Sequence, residues 1–317
     1  MGKKDRDRFT SPETIKKIEK LEKSPQIQVQ LQAVKNGMKE KVKSPFYIGC
    51  LGLIFIGIIT LRLQAFPLIL IYLAWRFGSK YLKKNKEDIV EAYVNHFLLP
   101  VLKEILPDTT VNYFERMDLE VLRKLVYDSE TYYSNCHILF GDDDKTEFCN
   151  MESYHYTRDS DGHERPVRDF RGQVLLAQFP TPIKGHIRIV PLQKKTFLGH
   201  KNYGRYGEKR KDEEELETES MAFNEAYSIF STDDLFTRVV LDPNILDILT
   251  HWKDKMRVCL YMNNKYISLA FESQEFLFST PRTQKEIDDL SLAGEYEKIR
   301  GQLADFYHLI DRIGEKL

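Results

Sequence analysis

Groups able to hold a metal or move protons are densest between residues 142 and 163: Asp142, Asp143, Asp144, Glu147, Cys149, Glu152, His155, Asp159, Asp161 and His163. A calcium-binding loop aligned on Gly162 would need an acid where Thr157 stands and a closing glutamate where Arg168 stands, so that spacing fails. Zinc fails differently, because Cys149, His155 and His163 are more widely spaced than the paired ligands of zinc sites. Solvated hairpin turns account for the cluster, and neither a metal nor a cofactor is expected.

The segment from Lys201 to Glu215 separates its charges, with Lys201, Arg205, Lys209, Arg210 and Lys211 preceding Asp212, Glu213, Glu214 and Glu215. Such runs form mobile loops. Gly204 and Gly207 among basic neighbours could cradle an anion, but the Lys-Ser/Thr of a phosphate-binding loop is missing. There is no nucleophile elbow, no His-Glu-x-x-His, and no serine beside a recognisable base; His251 next to Trp252 reads as a surface helix residue. Nucleic acid is disfavoured as a partner, since the basic residues lack an interleaved aromatic platform.

The elements that would position these groups begin with two apolar runs, Pro45 to Leu61 and Leu63 to Phe77, separated by Arg62. A single helix over about 33 residues would be roughly 50 Å long, too long for one upright crossing of a hydrocarbon core about 30 Å thick. A hairpin turning at Arg62 to Gln64 fits better, with Ile48, Leu53, Ile56, Ile69, Leu73 and Trp75 as membrane-anchor residues. A re-entrant hairpin that stops short of the far leaflet is the competing arrangement. The formal net charge of −1 hides an asymmetry: before the first run stand twelve Lys and Arg against six Asp and Glu, and Arg76, Lys80, Lys83, Lys84 and Lys86 follow the second. Basic flanks stay in the cytoplasm and attract anionic headgroups, so both termini are expected there. Cys50 lies in the first run, and Cys136, Cys149 and Cys259 have no framework spacing, which argues against a secreted disulfide scaffold. A cleavable targeting segment and a myristoylation signal are not expected either.

The anticipated organisation is a basic cytosolic arm (1–44), a transmembrane helical hairpin (45–78) and a cytosolic α+β domain (79–317). In the arm, Ser11-Pro12 opens a short helix ending near Ser24-Pro25, and the Gln- and Lys-rich residues up to Lys43 are expected to be helical but loosely ordered. Ser44-Pro45 is expected to start the first membrane helix, and Pro100 to kink a helix over 87–106. Helix 119–127 follows, then strands over 146–157, 169–179, 186–190 and 216–231. Asn263-Asn264 is expected to turn a hairpin pairing Met262 with Lys265, Leu260 with Ile267 and Val258 with Leu269. Asp242-Pro243 starts another helix, and the capping box Thr283 to Glu286 precedes the last one. There Leu292, Tyr296, Ile299, Leu303, Phe306, Ile310, Ile313 and Leu317 make a heptad stripe, read either as a helix lying across a mostly antiparallel sheet or as a seam for a homo-oligomer.

The segments Asp169-Phe170-Arg171-Gly172, Ile187-Arg188-Ile189-Val190, Leu216-Glu217-Thr218-Glu219, Phe223 through Asp233, and Val239-Val240-Leu241-Asp242-Pro243 resemble a bacterial membrane-anchored family catalogued as domain of unknown function 3137. The resemblance covers about residues 87 to 317, and the preceding apolar pair fits it. It implies an inner-membrane protein of a prokaryote with a cytoplasmic domain, and it carries no catalytic residues across. Members are often encoded beside LemA-like membrane proteins, which implies such a partner.

The function expected from these features is a membrane-anchored adaptor or scaffold that binds another protein, more an interaction module than an enzyme. The alternative is a tethered enzyme or small-ligand sensor with a pocket between the sheet and the final helix, for which the ligand-binding candidates are His186, Arg188, Glu219 and Glu225.

Overall fold

A computed structural model describes residues 9–60, 67–178, 180–195, 201–253 and 255–315; side chains are described for these except 44–51, 53–60, 67–75, 77, 194–195 and 302. Proline punctuates the helices. Helix α1 (Pro12–Lys23) closes with the Ser24 N–H on the Leu21 carbonyl, and Pro25 opens α2 (Pro25–Thr60), its missing N–H costing little in a first turn. Contrary to expectation, α2 does not restart at Ser44-Pro45 but runs through it. A proline within a helix leaves the carbonyl four residues earlier without its donor, here that of Lys41. The Asn85 side chain of α3 (Pro67–Tyr93) donates to that oxygen at 3.5 Å, and Asp88 Oδ2 accepts from Lys41 Nζ at 2.6 Å. Nor is the arm loose: Leu31 and Met38 are buried.

Among the described residues no helix is long and apolar enough to cross a membrane. The anchor candidates Ile48, Leu53, Ile56, Ile69, Leu73 and Trp75 lie outside the described side chains, and the turn at Arg62 to Gln64 lies outside the described residues. Beyond α3, a π-turn (Val94–Leu98) precedes α4 (Leu99–Ile105), with the Leu99 N–H reaching the Val94 carbonyl. One wide turn thus accommodates Pro100 inside a continuing helix.

Nine strands form one sheet in which every neighbouring pair is antiparallel. In chain order they are β1 (Thr110–Asn112), β2 (Thr131–Leu139), β3 (Glu147–Arg158), β4 (Glu164–Ala177), β5 (His186–Pro191), β8 (Glu214–Leu216), β9 (Tyr227–Ser231), β10 (Val258–Asn263) and β11 (Ile267–Glu272); β6 (Lys194–Lys195) and β7 (Lys201–Asn202) pair separately. The spatial order β1-β2-β3-β4-β11-β10-β5-β9-β8 puts the closing hairpin at the centre, where all five residues of β10 from Val258 to Met262 are buried. Its register differs from expectation: Met262 pairs with Ile267, Leu260 with Leu269 and Val258 with Phe271. Asn263 Oδ1 accepts from the N–H groups of Lys265 and Tyr266, which moves the turn to Asn264-Lys265. The slip is two residues, so the same six apolar side chains still share a face. Gly172 belongs to this centre as well, because a Cβ there would lie 1.8 Å from the Phe271 carbonyl oxygen of the adjacent strand.

The stretch expected as one strand over 216–231 is strand, helix and strand. Ser220 accepts from the Phe223 N–H and caps α6 (Met221–Ala226) before β9 begins. The earlier helix α5 (Leu119–Leu125) is capped by Asp118. After β9, Asp233 caps α7 (Asp234–Val240), and the Asp242 side chain accepts from the Ile245 N–H at the start of α8 (Pro243–Lys253).

Thr283 and Glu286 do make a capping box, but on a separate short helix, α9 (Gln284–Asp289). The final helix, α10 (Leu292–Gly314), is capped from α1, where Glu22 accepts from the N–H groups of Leu292 and Ala293. Asp288 takes a hydrogen bond from Lys35 through its carbonyl and pairs with Lys39 through its carboxylate. The heptad stripe of α10 from Leu292 to Ile313 is buried within the chain. Contacts divide the molecule into two units, one built on Ile105–Ser279 with parts of both chain ends, the other on Pro12–Glu104 with Thr280–Glu297.

Candidate functional site

Arg188 sits in β5 between Ile187 and Ile189, opposite Phe230 of β9 and Tyr261 of β10, and is fully buried. A guanidinium has five N–H donors, and all five find acceptors here. Nε and Nη2 grip Glu213 at 3.1 and 2.7 Å, Nη1 reaches the carbonyls of Tyr206 and Gly207, and Nη2 also reaches that of Glu208. Its plane lies 4.7 Å from the Phe230 ring centre. Glu213 takes two more hydrogen bonds, from His186 Nε2 at 2.8 Å and from the Arg210 backbone at 2.8 Å. Burial pushes the Glu213 carboxyl up, but hydrogen bonds from His186, Arg188 and the Arg210 backbone outweigh it and hold the group well below the usual carboxylate range.

The segment expected to be a mobile loop is therefore wound around Arg188. Gly204 and Gly207 supply the left-handed backbone it needs, at φ of +54° and +85°. His186 and Arg188 are brought together, but as the clamp of this loop, and Arg188 has no donor left for a ligand. The missing member was Glu213, hidden in an acid run that reads as solvated. An arginine inside an apolar strand was the available signal, since a buried charge requires a partner.

The groups between 142 and 163 are distributed over the β2–β3 connection and the β3–β4 hairpin and mostly engaged. Asp142 binds Thr146 twice and accepts from the Tyr307 hydroxyl, and Glu147 pairs with His137. Asp159, Asp161 and His163 do approach one another, yet Asp159 Oδ1 accepts the N–H groups of Asp161 and His163 and so fixes the turn. Asp169 accepts from both His155 and Ser129, which places the acid between serine and histidine, the wrong order for activating a hydroxyl. Cys136, Cys149 and Cys259 are buried; burial pushes the Cys149 thiol up strongly and that of Cys259 up to about 12, so neither is a thiolate at neutral pH.

Glu219 lies elsewhere, on a cleft of about 460 Å³ beside the sheet edge. Leu216, Ile229, Leu241 and Leu246 supply its apolar walls, while Glu217, Glu219, Asp242 and Asp247 supply carboxylates against the single guanidinium of Arg238. Arg238 is already paired with Asp234 at 2.9 Å. The segment carrying Glu217 and Glu219 is held by Asn224, whose side chain accepts from the Thr218 N–H and donates to the Thr218 carbonyl. On the neighbouring α7, Leu235 and Val239 are one turn apart and 81% and 57% exposed. Glu225 is exposed on α6 and does not line the cleft. Nor does any residue of α10, so this cleft is not the pocket anticipated between the sheet and the final helix.

In comparison with known proteins, the model of a family described as Protein of unknown function (DUF3137) matches residues 168–315, from β4 to the end of α10. The match takes in both the Arg188 clamp and the cleft. No curated protein and no solved structure matches the chain.

Proposed function

We propose a membrane-anchored adaptor that docks a basic, amphipathic segment of a partner protein in the cleft between β8 and the helices α7 and α8, within the residues that the family model matches. One observation carries the reading: an apolar floor rimmed by carboxylates opens beside β8, the edge strand of the sheet, and adjoins the exposed pair Leu235 and Val239. Apolar side chains of the partner would fill the floor, and its lysines or arginines would meet Glu217, Glu219 and Asp247. An open strand edge can add main-chain hydrogen bonds to an extended segment.

The anchor is the hairpin of apolar runs. Helical backbone covers Pro45 to Thr60 of α2 and Pro67 to Phe77 of α3, about 24 and 16 Å at 1.5 Å per residue. Those lengths suit a hairpin in a locally thinned bilayer or one that re-enters the same leaflet. The basic arm and the lysines from Lys80 to Lys86 then lie at the inner surface of the cell membrane, with both termini in the cytoplasm.

The test is binding of a short Lys- and Leu-rich peptide to the full chain in detergent, followed by fluorescence anisotropy. Charge reversal at the rim (Glu217→Lys with Asp247→Lys) is expected to weaken binding about tenfold at low salt, and added salt to weaken the native interaction, as exposed charge pairs require. Equal affinity of native and reversed proteins, or affinity indifferent to salt, would contradict the proposal.

A further inference from the structure

On its β8 side the docking cleft ends in an open strand edge. β8 closes the nine-stranded sheet and pairs with β9, with Glu214 opposite Ser231, Glu215 opposite Phe230 and Leu216 opposite Ile229. Alternate residues of a strand direct their main-chain groups to opposite sides, so part of β8 is turned away from β9. Beyond that ladder, no main-chain group of Glu214, Glu215 or Leu216 has a hydrogen-bond partner among the described residues.

The two faces of β8 differ in chemistry. On one, Glu215 is already engaged, its Oε1 accepting from Lys201 Nζ at 2.6 Å and from Ser228 Oγ at 3.0 Å. On the other, Leu216 and its cross-strand partner Ile229 form part of the cleft wall. Glu214, two residues before Leu216 and so on the same face, is exposed and has no ion pair among the described residues. A strand laid along β8 would place one side chain opposite Leu216 and the next on that face opposite Glu214. The first meets an apolar wall and the second a carboxylate. The side chain between them meets Glu215, whose charge Lys201 already balances.

We infer that the occupant of the cleft docks as an added strand, with a basic and an apolar residue separated by one position. The inference rests on the docking cleft proposed above and specifies the form of the segment that fills it. Charge complementarity names the basic residue, because Glu214, Glu217, Glu219 and Asp247 surround this edge and the Arg238 guanidinium is paired with Asp234. A helix, whose main-chain groups are paired within itself, leaves the edge of β8 unused, whereas a strand adds main-chain hydrogen bonds to it.

Two fluorescent peptides of identical composition are titrated against the full chain in detergent. One alternates, Lys-Thr-Leu-Thr-Lys-Thr-Leu; in the other the same residues are reordered so that Leu and Lys recur at helical spacing. The alternating peptide is expected to bind about tenfold more tightly, the net worth of one or two main-chain hydrogen bonds. N-methylation at the threonines and N-methylation at the Lys and Leu positions remove the N–H groups of opposite strand edges, so one set is expected to abolish that advantage and the other to spare it. Glu214→Lys alters an exposed side chain outside the cleft wall and is expected to weaken the alternating peptide several-fold. Equal affinity for the two peptides, or equal loss from the two methylation sets, overturns strand addition, and reversal of Glu217 and Asp247 then reports separately on the cleft. Binding of neither peptide overturns both readings.

Discussion

Asn85 of α3 donates to the main-chain oxygen of Lys41 in α2, the acceptor that Pro45 has no N–H to fill. The contact repairs a proline inside a helix from the neighbouring helix, at the base of the two apolar runs. Asn85→Ala is therefore expected to cost about 1–3 kcal/mol, as for other buried groups left unpaired. In a Pro45→Ala background the helix can satisfy that oxygen itself, so the same change should cost less. Thermal unfolding of the four proteins in detergent measures the coupling; strictly additive effects would remove this role for Asn85.

Arg188 and Glu213 should be inseparable. Truncating Arg188 to Met leaves a buried carboxylate and three carbonyls without their donor, for an expected loss of about 3–5 kcal/mol. Replacing both residues by apolar ones should cost less than the two single changes summed. Denaturant midpoints of the three variants decide this.

Acid sensitivity follows from the same carboxylate. Glu213 is depressed in the folded chain relative to an unfolded value of about 4.3, so its contribution is fully present above that value. It is lost as pH falls below about 4 toward the folded value, because only there does the unfolded chain bind the extra proton. Melting temperature in Glu213→Gln should consequently be lower at neutral pH and fall less steeply between about pH 4 and 3 than in the native chain. Parallel curves would show that other carboxylates govern the acid limb.

Local rules carried much of the architecture. Caps and prolines located α1, α8 and the box at Thr283, and period-two alternation located β3, β4, β10 and β11. Where competing local signals coexisted, the reading slipped. Asn263 accepts its own turn's N–H groups and displaces the hairpin by two residues, and Ser220 caps a helix inside a run rich in strand formers. The strand β2 alternates Tyr132, Ser134, Cys136 and Ile138 inward, but a bulge between Asn135 and Ile138, with Cys136 at φ +55°, shifts its register against β3. Of the four candidate binding residues, sequence separation hid that His186 and Arg188 share Glu213, while Glu219 and Glu225 occupy other surfaces. The buried Arg210 Nε and Nη2, without an acceptor among the described residues, were least legible, because such donors exist only once the loop has folded around Arg188.

The hairpin anchor is tested most directly by protease accessibility of amino- and carboxy-terminal tags on the full chain, in right-side-out spheroplasts and in inverted membrane vesicles, after alkaline carbonate washing. The account predicts that the protein stays with the membrane and that both tags are cleaved in inverted vesicles and protected in spheroplasts. Cleavage of either tag from outside, or release of the protein by carbonate, would contradict it.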